Sequence, residues 1–79
     1  MLNEATLRQV MSAVLNVAPS AIEQNSSMDT IGTWDSLRHL HLILAIEDEF
    51  KVSIPDDEAG NITSYALIKL VLQDLLMDA

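Results

Sequence analysis

The sequence predicts an all-α fold: a small bundle of three long helices plus one short helix, with a long loop between the first two. Three observations carry that expectation. The 79 residues include only two Gly and two Pro, too little turn material for a fold of many short strands. Apolar residues recur at three- and four-residue spacing in three long stretches. The one extended run, Val52-Ser53-Ile54, is too short to argue for a sheet.

Asn3 is placed to cap a first helix that runs to about Asn16, with Leu7, Val10, Met11, Val14 and Leu15 forming a broad apolar face. Pro19 and the run Gln24-Asn25-Ser26-Ser27 then mark a loop that ends near Trp34. Ile22, Met28 and Ile31 are spaced through it and pin it to the core. Loops of this length are uncommon in compact domains and are more often functional than idle. The second helix starts at Asp35 and ends near Phe50 or Lys51. Pro55 followed by Asp56-Asp57-Glu58 fits a brief third helix, with proline in its first turn and acids at its positive end. Gly60-Asn61 stops it. Thr63 or Ser64 caps the last helix, which carries Tyr65, Ile68, Val71, Leu72, Leu75 and Leu76 along one side.

Length and composition narrow the function. One domain covers 1–79, with no internal repeat. A chain this small buries about 60% of its unfolded surface or slightly more, which leaves marginal stability and no room for a deep cleft of its own. Hydrophobic residues make up 49% of the chain with one Trp, one Tyr and one Phe, so the core is mainly aliphatic. Twelve acidic against four basic residues give a net charge of −8. That charge repels nucleic acid and anionic membranes and favours partners with basic surfaces. With no cysteine there is no disulfide and no thiolate metal site, and any thiol the protein uses must arrive on a prosthetic group. Neither a secretory leader nor a run of membrane-spanning length is seen, so a cytoplasmic monomer is expected.

The second helix has two apolar faces. At about 100° per residue, His39, Leu42, Ile43, Ile46 and Phe50 share one face, the natural core face. Leu37, Leu40 and Leu44 share roughly the opposite one, with His41 and Asp48. A surface helix in a small bundle needs only one apolar stripe. Each of those leucines would release roughly 1.5–3 kcal/mol if fully covered, so together they make a docking site for a partner. Burial of the helix on both sides is the competing explanation, and three long helices offer little to bury it with. Glu47 and Asp48 add an acidic rim that steers basic partners.

At the start of this helix stands Thr33-Trp34-Asp35-Ser36-Leu37. Asp35 is a good N-cap, and Ser36 follows it where free backbone N–H groups and the positive end of the helix dipole favour a phosphate. By itself the pair also suits a plain helix cap. The long preceding loop, the two-faced helix Leu37–Phe50 and the segment Ile54-Pro55-Asp56-Asp57-Glu58 decide between the two. Together these features resemble an acyl carrier protein over nearly the whole chain.

The resemblance implies that Ser36 receives a 4′-phosphopantetheine arm from coenzyme A through a phosphodiester, with Asp35 as the cap beside it. A phosphopantetheinyl transferase supplies the metal and base for that step. The arm then carries an acyl, aminoacyl or hydroxyacyl group as a thioester from a loading enzyme to a downstream acyltransferase or synthase. The chain performs no chemistry itself. Leu37, Leu40, His41, Leu44, Glu47 and Asp48 form the surface that partners read.

Departures from the family pattern point to a dedicated carrier in a specialised pathway. Gly32 is present, but Trp34 immediately precedes the aspartate, and Arg38, His39 and His41 stand where carriers of fatty acid synthesis often place acids. Other chemistries fit less well. Ser36, His39 and Asp35 are the residue types of a hydrolase triad, yet one helical turn offers no oxyanion hole or pocket, and His39 faces the core. His39 reads as a core-edge histidine with a local hydrogen bond, and Trp34 as a cover over the end of the core. His39 and His41 lie two apart and point in different directions, which does not suit a shared metal. Glu47-Asp48-Glu49 and Asp56-Asp57-Glu58 lack the alternating acids and central glycine of a calcium loop. The alternative from another class is a small acidic helical interaction module with no arm, which would have no use for the Ser36 hydroxyl.

Overall fold

The first helix begins where Asn3 caps it. In a computed structural model that describes residues 2–77, the Asn3 side chain accepts from the Thr6 amide and α1 spans Glu4–Leu15. It ends on Asn16, held in the left-handed region at φ 57°. Asparagine tolerates that conformation better than most side chains. The next helix, α2, covers Ser36–Phe50 with Asp35 as N-cap and Lys51 as a left-handed C-cap. A single turn, α3, covers Asp56–Ala59 with Pro55 at the cap position. The last helix, α4, covers Tyr65–Met77, and the Ser64 hydroxyl accepts from Leu67 N to cap it. The expected all-helical architecture is therefore observed, with Asp35 just outside the second helix.

The loop from Val17 to Asp35 is more ordered than its composition implied. It contains a 3-10 turn at Pro19–Ala21 and an isolated bridge in which Ser27 pairs with Ser64. Met28 N donates to Thr63 O, and Tyr65 N donates to Ser26 O. These bonds staple the loop to the start of α4. Buried Ile22 and Ile31 anchor it to the core, and half-buried Met28 packs against them.

The core is aliphatic with two large aromatic members. Leu7, Met11 and Leu15 of α1 meet Leu42, Ile43 and Ile46 of α2, Ile68 and Leu72 of α4, and the loop residues Ile54 and Ile62. Trp34 closes one end and Tyr65 is fully buried. Phe50 is partly buried and packs against this core at the end of the α2 core face. Tyr65 finds a partner for its hydroxyl in Glu4 Oε1 at 3.0 Å. Burial, and then this bond, push the Tyr65 phenol up to about 12. The same bond is the main cause holding the Glu4 carboxyl below its ordinary value, with Lys69 contributing. Arg8 and Lys69 also lie near the Tyr65 ring, at 5.4 and 5.9 Å from its centroid.

Candidate functional site: the start of the second helix

Four amides at the start of α2 have no partner within the helix. Asp35 N donates to Thr33 O at 3.1 Å, and Arg38 N donates to the Asp35 side chain at 2.8 Å. The amides of Ser36 and Leu37 remain, both on exposed residues. The Ser36 hydroxyl is thus the first side chain of a 15-residue helix, beside two N–H groups that have no hydrogen-bond partner among the described residues and at the positive helix end. That environment suits a phosphodiester oxygen. Ser36 therefore fits as the anchor of a phosphate-linked prosthetic group.

Polar contacts hold this turn against its surroundings. Thr33 Oγ1 donates to Leu15 O, and Arg38 Nη1 donates to Val14 O at 2.7 Å. The last carbonyls of α1, which the helix leaves free, are thereby satisfied by the turn that opens α2. On the other side Trp34 Nε1 donates to His39 Nδ1 at 3.0 Å, and His39 Nε2 lies 2.7 Å from Ala59 O. A carbonyl can only accept, so Nε2 carries the proton and Nδ1 is the acceptor. Neither ring nitrogen is free to act on Ser36, and the local hydrogen bond expected of His39 is in fact a pair.

The two faces of α2 separate as the spacing predicts. Leu42 and Ile46 are fully buried, whereas Leu37, Leu40 and Leu44 are 64%, 57% and 57% exposed. His41 and Asp48 are exposed beside those leucines. Glu47 sits differently. It is half-buried, and its Oε2 accepts from Ile54 N at 2.8 Å, so it ties the link after α2 rather than standing free on the rim. Between α2 and α3 runs a groove of about 390 Å³ bordered by Ser36, Leu40, Leu44, Ile54, Asp56 and Gly60. The three acids of α3 are exposed, and Asp56 lines the groove.

Several functional contacts were not visible in the sequence. The Arg38 and Glu47 bonds join charged side chains to backbone groups 24 and seven residues away, which no local pattern signals. A second exposed apolar stripe, Leu67, Leu70 and Met77 on α4, was also missed, although its spacing is helical. Among the described residues no group of three or more His, Cys, Asp or Glu is placed to hold a metal ion. None of their helices is long and apolar enough to cross a membrane.

Comparison with known proteins agrees with this geometry. The solution NMR structure of holo acyl carrier protein from Geobacter metallireducens superposes with a TM-score of 0.85 at 20% identity, covering 99% of this chain and 90% of that one. That likeness shows the fold. A family model described as "Phosphopantetheine attachment site" matches residues 5–71, which takes in nearly all of α1, the loop, α2, α3 and the first half of α4. The chain therefore belongs to the phosphopantetheine-attachment family, as an acyl-carrier-like protein bearing a covalent 4′-phosphopantetheine.

Proposed function

We propose that Ser36 is the attachment residue and that the loaded protein shuttles acyl, aminoacyl or hydroxyacyl groups between enzymes of a specialised biosynthetic pathway. The observation that supports this is the exposed Ser36 hydroxyl beside two unpartnered amides, on a turn that Asp35 caps. When bound, the arm supplies a terminal thiol that holds the cargo as a thioester. The chain's own contribution is presentation. Asp35 fixes the helix start, Arg38 and Thr33 bind the turn to α1, and the free amides of Ser36 and Leu37 offset phosphate charge. The Ser36 Oγ is the nucleophile in arm attachment, and His39, with both ring nitrogens engaged, does not serve it as a base.

Leu37, Leu40 and Leu44 are the contact surface for the phosphopantetheinyl transferase and for the loading and accepting enzymes, with His41 and Asp48 at its edge. A working monomer suits a chain whose net charge of −8 opposes self-association. Incubation with coenzyme A and a broad-specificity transferase should add one arm by intact mass, and Ser36→Ala should abolish the addition. Modification at Ser20, Ser26, Ser27, Ser53 or Ser64 instead would overturn the assignment. The mass of the species isolated from the native cell identifies the cargo.

A further inference from the structure

The short helix α3 buries none of its residues, and only Ala59 packs partly against the core. Its backbone bonds are local: Ala59 N to Pro55 O, Gly60 N to Asp56 O, and Asn61 N and Ile62 N to Glu58 O. Among the described residues one hydrogen bond joins α3 to another element, from His39 Nε2 to Ala59 O. Ala59 is the last residue of α3, so its carbonyl has no acceptor role within the helix and would otherwise face solvent. The other end of the same imidazole accepts from Trp34, two residues before Ser36. The rings of Trp34 and His39 also stack, with centroids 6.0 Å apart and planes inclined by 28°.

We infer that Trp34 and His39 form a two-bond strut that sets α3 against the Ser36 turn, and that His39 is a positioning residue for the groove between α2 and α3. The two bonds are coupled through the tautomer. Donation from Trp34 occupies Nδ1 as an acceptor, which leaves the proton on Nε2, the atom facing Ala59 O. The indole thus fixes which nitrogen reaches α3. Because the strut arises within the first helical turn of α2, the lip of the groove at Ala59 and Gly60 keeps its distance from Ser36. A partner that grips Ser36 and α3 together meets a rigid surface and loses less freedom on binding.

Two substitutions cut the strut at opposite ends. A glutamine side chain places its amide nitrogen near the imidazole Nε2, and an asparagine places its amide oxygen near Nδ1. His39→Gln therefore keeps the bond to Ala59 and loses the acceptor for Trp34, whereas His39→Asn does the reverse. In the full apo chain, His39→Asn should raise amide exchange at Ala59, Gly60, Asn61 and Ile62 by about two- to tenfold, the range one net hydrogen bond supplies. The Trp34 indole N–H should stay as slow as in the parent. His39→Gln should speed the indole N–H and leave the α3 amides near parent rates. Equal acceleration of α3 by both variants would show that His39 only fills space, and would overturn the strut.

If either variant fails to fold, nitrogen-15 shifts of the parent imidazole decide the matter. A proton on Nε2 supports the strut, and a proton on Nδ1 refutes it. Its consequence for loading rests on Ser36 being the attachment residue. In arm transfer His39→Asn should raise KM for the carrier about threefold or more with kcat unchanged, and His39→Gln should restore the parent KM. Unchanged KM in His39→Asn would refute the link to docking. The exchange readout needs no arm, so failure of the strut and failure of the Ser36 assignment are told apart.

Discussion

Leu40 and Leu42 are two residues apart on one helix, and their truncation should separate partner docking from folding. Leu42 is fully buried in the common core. Cutting it to alanine removes its transfer free energy and leaves a cavity, a loss of about 2–5 kcal/mol. At about 0.05–0.15 kcal/mol per residue the whole chain has about 4–12 kcal/mol, so Leu42→Ala removes a large share of its stability. A fall of about 4–8 °C in Tm per kcal/mol follows for a domain of this size. Leu40 is 57% exposed, so more than half of its side chain already lies in water. Full burial of a leucine releases about 1.5–3 kcal/mol, which puts Leu40→Ala near 1 kcal/mol, less the better helix propensity of alanine.

Thermal denaturation followed by circular dichroism measures these losses, and the rate of arm attachment is read on the same proteins. Leu40→Ala and Leu44→Ala should retain most of the parent Tm yet slow attachment through weaker complex formation. Ile46→Val, costing about 0.5–1.5 kcal/mol, tests a core site without unfolding the chain and should leave attachment unchanged. If Leu40→Ala unfolds the domain as badly as Leu42→Ala, the outer face of α2 is structural and the docking argument fails. If it changes neither Tm nor rate, that face is idle and the argument fails equally.

Asp35→Ala leaves the Arg38 amide unpartnered and should cost about 0.5–2 kcal/mol, whereas Asp35→Asn retains an acceptor and should cost a few tenths; denaturant midpoints distinguish them. The single tyrosine reports on alkaline stability. Its phenol is raised in the fold to about 12 against an ordinary 10.0, so above the ordinary value the unfolded chain releases a proton that the folded chain keeps. Stability should therefore be fully present below pH 10 and fall as pH rises towards 12, and tyrosinate absorbance should titrate late in the native protein and normally in denaturant. Glu4 is the one carboxylate in an ion pair among the described residues, leaving the rest of the charge self-repelling. Moderate salt at neutral pH should raise Tm, and a flat or falling Tm would contradict dominant repulsion.

Helix positions and the core face of α2 were legible because both rest on local patterns: a capping Asn or Asp, a stop after the last apolar repeat, and spacing near 3.6 residues. The capped start of α2 was legible for the same reason. Asp35 followed by Ser36 is a contiguous signal, and the exposure of Leu37, Leu40 and Leu44 follows from helical geometry. What escaped were bonds made across the fold. Arg38 reads as a surface cation, yet its guanidinium reaches back to the end of α1. Glu47 reads as a free acid on the rim, yet it satisfies the Ile54 amide where the chain has left the helix. The Ser27 pairing with Ser64 likewise joins two polar segments with no apolar periodicity to announce it.

These hidden bonds alter the charge pattern that a partner meets. Taken from sequence, the start of α2 carries Arg38 beside Ser36 and the far end carries Glu47, Asp48 and Glu49. In the fold the Arg38 guanidinium is drawn to Val14 O and away from the serine, and Glu47 turns to the link before α3. Beside Ser36 stand the leucines, His41 and the exposed cap Asp35, while exposed Asp48 and Glu49 lie towards the far end of α2 and exposed Asp56, Asp57 and Glu58 on α3, Asp56 bordering the same groove as Ser36. Coulomb attraction acts over about 8–10 Å at physiological salt, whereas leucine contacts act only on touching. Under the proposed reading the two tasks are thus divided between the acids and the leucines. The acids turn a basic partner towards the α2–α3 side before contact, and the leucines then hold it where Ser36 is presented. Neutralising Asp48, Asp56 and Asp57 should accordingly slow association and flatten its salt dependence, with little effect on dissociation. Leu40→Ala should do the opposite, speeding dissociation at an unchanged salt dependence. Equal effects of both changes on the dissociation rate would show that attraction and contact are not divided in this way.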